Sequence, residues 1–548
     1  MIDPASEISS HDALSLDTRE PDGPAVLGTG KGISGTPQRP LERTAAIASD
    51  ALFVFLIAID VIRTFRHAMW RDEMYVFMVG TGSSSLWQLF HNLKFGAHPG
   101  LWYALVWLVT RVTADPIWMQ VLHIVLAIGV WVLVYRYSPF SKIEKFLLLL
   151  SYFLFWEYFV ISRSYVLLAL IGFAFVLLRE RQPRPEWSLW FLLGLLANVH
   201  AYGAIWSMAL AIMLVIEAPR RNSTLMMGAG LYLVLLAFAI ATMAPPADFG
   251  PWPHGGVRFD LYRLKADLKV PFGAFVPLRP DVIRETFAYL AHPGSGAIPQ
   301  FWHANPTDDF VTLLKLDANH PMRIAAVFAA PIALCWLIVR NPLRVLEFAL
   351  VYMGILLFQN LWDFSGGARH HGIVILAFIA AVWTTRSRRP PDIASRSIFG
   401  AVLAINALAG LTTFASELGP WSEGKAAANW ISKNNLENAF LIGSRDEQVS
   451  TVAGYLGRRI YYLECECLGT FIVWNDKRQL QLSSAQFGER LTEAFTLAGQ
   501  RDAILIANRH VPSEEFAADA PNISATLLQS FTNAPFRENY WIYRLSKK

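Results

Sequence analysis

Two adjacent carboxylates, Asp72 and Glu73, follow the first strongly apolar segment of the chain. A carboxylate at the edge of a membrane can take the proton from an attacking hydroxyl group, and so act as a general base. Partial burial would raise the pKa of such a group, whereas a neighbouring arginine would lower it. The alternative is a solvated loop end in which Arg71 pairs with a carboxylate. The spacing alone leaves both interpretations open.

Three further side chains could hold a phosphate near these carboxylates. Arg163 lies between two apolar segments, and Arg369 follows the sequence Gly-Gly-Ala. Arginine at membrane depth is costly and usually functional, and its planar fork matches phosphate oxygens. His98 precedes a proline at an expected helix start, where backbone N–H groups favour an anion. The alternatives are that the arginines snorkel to lipid headgroups and that His98 only marks a helix start.

A metal site is not indicated by the histidines. His200 interrupts an apolar run at its end, and a lone histidine in that position is more often structural than a ligand. His370 and His371 are adjacent, which is a poor spacing for chelation on a helix. We therefore predict no cofactor and no metal ligands, while a divalent metal stays open as an alternative.

The composition indicates a polytopic membrane protein. The 548 residues are 54% hydrophobic and 16% charged, whereas about 25% charged residues is usual for a soluble domain. The net charge of +4 is small for this length and argues against a nucleic-acid partner. Three cysteines exclude a disulfide framework. Read as a strand, Cys465 and Cys467 are predicted to lie too far apart for an unstrained disulfide.

Apolar runs predict eleven transmembrane helices, because about 20 apolar residues cross a bilayer as a helix. The predicted spans are Ala46–Thr64, Ile117–Val134, Phe146–Val160, Tyr165–Leu178, Trp187–Val199, Ala204–Ile216, Leu225–Met243, Ile324–Val339, Val345–Leu361, Ile373–Thr384 and Ile398–Thr413. With eleven spans and a cytoplasmic N-terminus, the short basic loops all fall on the cytoplasmic side, as the positive-inside rule requires. The segment Leu101–Val112 is therefore predicted to lie in the interface, and Asp115 to lie outside.

The same count predicts three domains. Residues 1–43 form a disordered cytoplasmic tail, rich in Ser, Gly, Pro and Asp. Residues 44–415 form the transmembrane module, with outer loops at 67–116 and 244–321. Residues 416–548 form a small extracytoplasmic α/β domain, with strands near Ala439–Ile442, Arg459–Leu463, Ala503–Ala507 and Tyr540–Leu545 and helices near Lys425–Ser432 and Gln486–Ala498.

The ordered set of motifs resembles the GT-C-fold glycosyltransferases of the protein O-mannosyltransferase and aminoarabinose-transferase type. Members carry an Asp-Glu pair after the first span, matched by Asp72-Glu73, and His-Pro-Pro-Leu-Tyr-Tyr, matched by the segment His98–Tyr103 with Gly100 in place of the second proline. A Glu-Ala-Arg-Pro-Tyr motif is matched in part by Ile161–Tyr165. A later Thr-His-Tyr-like break is matched loosely by His200 and Tyr202, and a late arginine by Arg369.

The resemblance, which covers roughly residues 50–415, implies a function and a site. A sugar would pass from a polyprenyl-phosphate donor, such as an undecaprenyl phosphate, to a lipid, glycan or protein hydroxyl on the non-cytoplasmic face, with inversion. The implied catalytic residues are Asp72 and Glu73, with Asp72 as the base. The implied phosphate ligands are Arg163, Arg369 and His98, and the implied substrate-binding residues are Tyr165, His200, Tyr202 and His370.

One departure from the family pattern concerns a glutamate. Ile161 stands where relatives have the Glu of the arginine motif, and Glu157 lies one turn earlier. The alternative function is a transporter or flippase of lipid-linked substrates. It would require charges deep in mid-helix and repeated halves, and neither is evident. The expected location is the inner membrane of a bacterium.

Overall fold

A computed structural model describes residues 40–218, 223–250, 341–362, 366–417, 419–499, 502–534 and 538–548, with single residues or short runs between 258 and 336. The predicted span Ile324–Val339, most of the loop 244–321 and the tail up to residue 39 lie outside the described residues. The chain divides into two compact units, Met1–Phe55 and Leu56–Lys548.

The described residues before the C-terminal domain form thirteen α-helices. They are α1 (Pro40–Arg66), α2 (Arg71–Thr81), α3 (Leu86–Leu93), α4 (Leu101–Thr110), α5 (Ile117–Val132), α6 (Lys142–Leu149), α7 (Tyr165–Arg179), α8 (Glu186–Ala197), α9 (Ala201–Glu217), α10 (Ser223–Met243), α11 (Pro342–Leu361), α12 (Ala368–Arg388) and α13 (Ile393–Ser416). Short π-helical segments at Leu133–Tyr137 and Tyr152–Glu157 and a 3-10 turn at Lys94–Gly96 complete this part.

Six of these helices are long and apolar enough to cross a membrane, and the chain is an integral membrane protein. The six are α1, α5 with its π-helical extension, α10, α11, α12 and α13. The predicted spans at α7, α8 and α9 form apolar helices of 15, 12 and 17 residues. Helix α12 is buried among its neighbours, whereas α10 exposes large apolar side chains such as Leu233 and Phe238. An exposed apolar helix face is what a lipid-facing position favours.

The predicted span Phe146–Val160 differs from the structure. It is not one helix, because α6 ends at Leu149 and a new segment begins after Ser151. The Ser151 hydroxyl accepts a hydrogen bond from the backbone N–H of Leu154, at 3.4 Å, and so caps the second segment. The segment that follows is almost fully buried and leads directly to Arg163.

The C-terminal domain is a six-stranded sheet with four helices. Its strands are β1 (Phe440–Ser444), β2 (Ile460–Tyr462), β3 (Cys467–Gly469), β4 (Ala503–Ala507), β5 (Ile523–Phe531) and β6 (Tyr540–Lys547), and its helices are α14 (Gly424–Lys433), α15 (Asp446–Leu456), α16 (Ser484–Ala498) and α17 (Ser513–Asp519). The strand order is β3-β2-β1-β4-β6-β5. Strand β1 pairs in parallel with β2 and β4, and the other pairings are antiparallel. Thus the mostly helical fold class with a small C-terminal α/β domain is confirmed.

The prediction for the two C-terminal cysteines was wrong. Cys465 and Cys467 form a disulfide, with Cα atoms 5.1 Å apart. The chain turns between β2 and β3, and Glu466 has a positive φ of 53°. This turn replaces the extended strand that the prediction assumed, and it brings the two Cα atoms within reach.

Helix α2 connects the helical part to the C-terminal domain. It packs against α4 on one side and against α15 on the other. Met74 in α2 is fully buried, and its side chain lies against Gly454 of α15. The backbone N–H of Arg71 donates a hydrogen bond of 2.8 Å to Glu538 of the C-terminal domain. The first turn of α2, with its two carboxylates, is therefore held from both sides.

Candidate functional site

The centre of the site is the carboxylate of Asp72, in the first turn of α2. One of its oxygens, Oδ2, accepts a hydrogen bond from Nη1 of Arg163 at 2.6 Å and lies 3.2 Å from Nη2 of Arg369. The other oxygen lies 3.6 Å from Nε of Arg71. The three residues that the sequence predicts to meet, Asp72, Arg163 and Arg369, are therefore in direct contact.

Elements that are distant in sequence bring these groups together. Asp72 follows the end of α1, Arg163 lies just before α7, and Arg369 is the second residue of α12. The Arg163 guanidinium lies 5.6 Å from the centre of the Tyr165 ring, and the Tyr158 hydroxyl donates a hydrogen bond of 2.6 Å to the carbonyl of Arg369. These contacts fix both arginines at the end of the bundle where α1 ends.

The charge state of Asp72 follows from these neighbours. Burial by itself would raise the pKa of the carboxyl group, but Arg163, Arg369 and Arg71 outweigh that effect and hold the pKa at about 2. The side chain keeps 23% of its surface exposed. Asp72 is therefore an ionised carboxylate that reaches a cavity but is engaged by arginines.

Glu73 lies behind Asp72 and points the other way. Its carboxylate accepts a hydrogen bond of 2.6 Å from the backbone N–H of Ser162 and contacts Nε2 of His67 at 2.9 Å. The other ring nitrogen of His67 lies 3.2 Å from Glu417. Burial would lower the pKa of His67, but the two carboxylates raise it to about 10. This charged group fixes α2 to the segment that carries Arg163.

The predicted imidazoles and phenols form one ring cluster beside the arginines. Ring centres of His200 lie 5.3 Å from Tyr165, 5.6 Å from His370, 5.4 Å from Tyr202 and 6.1 Å from His98. His98 and His370 line the cavity, and the other three rings pack behind them.

Two of these histidines are held in the neutral form. Burial, followed by the charge of Arg163, lowers the pKa of His98 to about 4. Burial, followed by its proximity to His98, lowers the pKa of His200 well below its usual range. The ring of His200 also accepts a hydrogen bond of 3.1 Å from the backbone N–H of Tyr202 and so caps α9. A neutral His98 still carries one N–H that can donate to an anion.

A cavity of about 330 Å³ opens at Asp72. One side is charged and carries Arg71, Asp72, Arg163 and Arg369 with the two histidines. The rest of the lining is mixed and comes partly from the C-terminal domain. Its lining residues there are Glu447, Ser450, Ile472 and Trp474, with Phe249 and Phe95 from the helical part. No motif or spacing in the sequence indicated the four lining residues of the C-terminal domain.

Glu157 lies one turn before Ile161, the position at which the family pattern has a glutamate. Glu157 is buried and accepts a hydrogen bond of 2.9 Å from Tyr152, so its carboxylate is directed into the protein.

Within the described part of the chain, no group of three or more His, Cys, Asp or Glu side chains is placed to hold a metal ion.

The fold and the cavity together define an integral membrane protein with a charged site at one end of its helices. The chain matches no protein-family model and no curated protein. It is similar to ArnT from Cupriavidus metallidurans, whose crystal structure was determined bound to undecaprenyl phosphate. The identity is 12%, the similarity covers 91% of this chain and 98% of that chain, and the TM-score is 0.41. A likeness this distant supports no assignment of site residues or reaction.

Proposed function

We propose that this protein is a GT-C-type membrane glycosyltransferase that moves a sugar from a polyprenyl-phosphate donor to a hydroxyl acceptor. The observation that carries the proposal is the convergence of Asp72, Arg163 and Arg369 at a cavity. A carboxylate and two guanidiniums are the groups that such a reaction needs, one to accept a proton and two to hold a phosphate. The cavity size lies at the small end of the usual range for ligand sites.

The donor phosphate binds to Arg163 and Arg369, with His98 as a further donor. Each guanidinium presents several N–H groups in one plane, which match the oxygens of a phosphate. His98, held neutral by burial, adds a hydrogen bond without adding charge. Tyr165, His200, Tyr202 and His370 support these three residues through the ring cluster.

Phosphate binding also releases the base. Asp72 is paired with the two arginines that the phosphate would occupy. When the phosphate takes over their N–H groups, the carboxylate loses its strongest partners, and its pKa rises. Donor binding therefore frees the Asp72 carboxylate from its arginine partners and lets it accept a proton.

The chemical step is a single displacement. The acceptor oxygen attacks the anomeric carbon while Asp72 takes the hydroxyl proton. The bond from that carbon to the phosphate oxygen breaks, its electron pair goes to the phosphate, and the anomeric configuration inverts. The arginines stabilise the negative charge that grows on the leaving phosphate, which is usually the largest catalytic contribution.

Glu73 acts as a positioning residue in this scheme. Its carboxylate connects the backbone of Ser162, next to Arg163, with the charged ring of His67. Because Glu73 and Asp72 are adjacent, this connection sets the distance between the base and the arginine. The acceptor is a lipid, a glycan or a protein on the extracytoplasmic face, as the distribution of basic loops favours.

Purified protein in lipid nanodiscs tests the proposal. It is incubated with polyprenyl-phosphate mannose, glucose, galactose and arabinose and with membrane-extracted acceptors, and both products are followed by mass spectrometry. We expect release of free polyprenyl phosphate together with glycosylation of an acceptor for one of these donors. If none is consumed and undecaprenyl phosphate does not bind, the proposal is overturned.

A further inference from the structure

Part of the cavity wall belongs to the C-terminal domain. Glu447 and Ser450 come from α15, and Ile472 and Trp474 come from the segment between β3 and α16. Helix α15 follows the carboxyl end of β1. Strand β1 lies between β2 and β4 and pairs in parallel with both. α/β domains usually bind ligands at the carboxyl ends of their parallel strands, at the point in the sheet where the strand order reverses.

Glu447 is held in place by two arginines. Its Oε2 atom accepts a hydrogen bond of 2.5 Å from Arg71, and its Oε1 atom accepts one of 3.1 Å from Arg478. Arg71 also lies beside Asp72, so one guanidinium separates this carboxylate from the catalytic one. The side chain is 23% exposed and lines the cavity, where it can accept hydrogen bonds from hydroxyl groups.

Trp474 is also held in place by its neighbours. The Arg478 guanidinium lies 4.4 Å from the centre of its ring and is held by two hydrogen bonds of 2.6 Å to Asp446. The carbonyl of Trp474 accepts a hydrogen bond of 3.2 Å from Gly250. A Cβ atom at Gly250 would lie 2.6 Å from the carbonyl oxygen of Asn475, so this close approach requires glycine. An indole supported in this way is a rigid apolar surface at the cavity.

We propose that this wall binds the sugar of the donor. The apolar C–H face of a sugar ring packs on an aromatic ring, and its hydroxyl groups need acceptors and donors at the edge. Trp474 provides the ring, while Glu447 and Ser450 provide the polar groups. An aromatic surface with a few polar groups placed beside it is a usual form of a small-molecule site. The C-terminal domain thus selects the sugar, whereas the helical part binds the phosphate.

This inference rests on the proposed function, which places the donor phosphate at Arg163 and Arg369. The donor sugar is covalently attached to that phosphate and must lie in the same cavity. Apart from the three arginines, Asp72 and the two histidines, the lining comes from the four residues of the C-terminal domain and from Tyr75, Phe95, Gly96, Tyr103 and Phe249 of the helical part. The acceptor then approaches at Asp72, between the two sides.

The test compares two ligands on the wild type and on three variants of the full-length protein. Wild-type protein in nanodiscs is used to find which polyprenyl-phosphate sugar of the four named above binds best. Affinities for that sugar-lipid and for sugar-free undecaprenyl phosphate are then measured for Trp474→Ala. The matched control is Val473→Ala, which truncates the exposed neighbouring side chain.

We expect Trp474→Ala to weaken binding of the sugar-lipid by about tenfold and to leave binding of undecaprenyl phosphate unchanged. Val473→Ala should bind both ligands as the wild type does, and Trp474→Phe, which keeps a ring, should restore most of the difference. Equal changes for both ligands in Trp474→Ala, or no change for either, would overturn the sugar-binding wall while the phosphate site stands. Absence of undecaprenyl phosphate binding in the wild type would instead overturn the proposed function, and this inference with it.

Discussion

Asp72 and Arg163 are 91 residues apart in the sequence, yet the carboxylate of one accepts a hydrogen bond of 2.6 Å from the guanidinium of the other. This ion pair joins the first turn of α2 to the residues just before α7. It occupies the groups that a lipid phosphate and an acceptor hydroxyl would use. The structure therefore pairs the proposed base with the proposed phosphate ligands, and a bound donor would have to open this pairing.

Replacing the base should stop the reaction. We expect Asp72→Asn to reduce sugar transfer by about 10²- to 10⁴-fold, the usual contribution of general-base catalysis, with no loss of folded protein. The rate is measured in a purified assay with the lipid donor. The control is Asp115→Asn, since an asparagine oxygen can still accept the hydrogen bond that Asp115 accepts from Ile117. An active Asp72→Asn protein would move the base to another residue.

Substitution of Arg163 or Arg369 should lower the transfer rate much more than substitution of an exposed arginine elsewhere. We expect Arg163→Lys and Arg369→Lys each to lower the transfer rate by about 100- to 1,000-fold, because one preplaced donor to the leaving group is lost. Lysine keeps the charge but not the planar fork. Arg181→Lys, an exposed residue after α7, is the control. Wild-type rates in both site variants would show that the fork geometry does not matter.

The buried His67–Glu73 pair should contribute to stability as well as to position. Glu73→Gln leaves His67 with a weaker partner, and breaking a buried ion pair costs about 3–5 kcal/mol. The thermal unfolding midpoint in detergent should therefore fall, whereas Glu493→Gln, at an exposed position of α16, should leave it unchanged. An unchanged midpoint in Glu73→Gln would contradict the described ion pair.

The same pair predicts a pH dependence. The pKa of His67 is raised to about 10 in the folded protein, from 6.5. A raised histidine pKa stabilises the fold fully below pH 6.5, and that stability is lost as the pH rises towards 10. The unfolding midpoint of the wild type should therefore fall more steeply over this window than that of His67→Gln. Parallel profiles would show that His67 does not carry the charge.

The orientation of the helices can be tested by labelling. The charge count predicts that Asp115, on the loop between α4 and α5, lies outside. In a Cys335→Ser background, we expect Asp115→Cys in intact cells to react with a membrane-impermeant maleimide. Labelling only after the cytoplasmic face is opened would overturn the predicted topology.

The sequence predicted the charged half of the site better than the other half. Asp72, Arg163 and Arg369 lie beside apolar segments, where charges are costly, although the spacing of each taken alone also fitted a structural role. The helical class and four of the six strands also followed from periodicity. By contrast, Glu447 lies in the first turn of a helix, where acidic residues are common for reasons of helix stability alone. Trp474 lies in a segment with no periodic pattern.

Other differences arose from long-range or local geometry. The role of Glu73 depends on His67 and Ser162, and only the tertiary structure shows which way its side chain points. The break at Ser151 was not predicted, because the sequence around it is almost continuously apolar. The turn at Glu466 adopts a positive φ without glycine, so the short distance between Cys465 and Cys467 had no sequence signal.

The most direct test of the account is the affinity of Asp72→Asn for undecaprenyl phosphate, measured beside the wild type. If Asp72 competes with the phosphate for Arg163 and Arg369, removing its charge should leave the affinity equal or higher while transfer is lost. The contradicting results are weaker binding of undecaprenyl phosphate by Asp72→Asn than by the wild type, or continued sugar transfer by this variant. Either result would show that Asp72 is not a base that pairs with the phosphate-binding arginines.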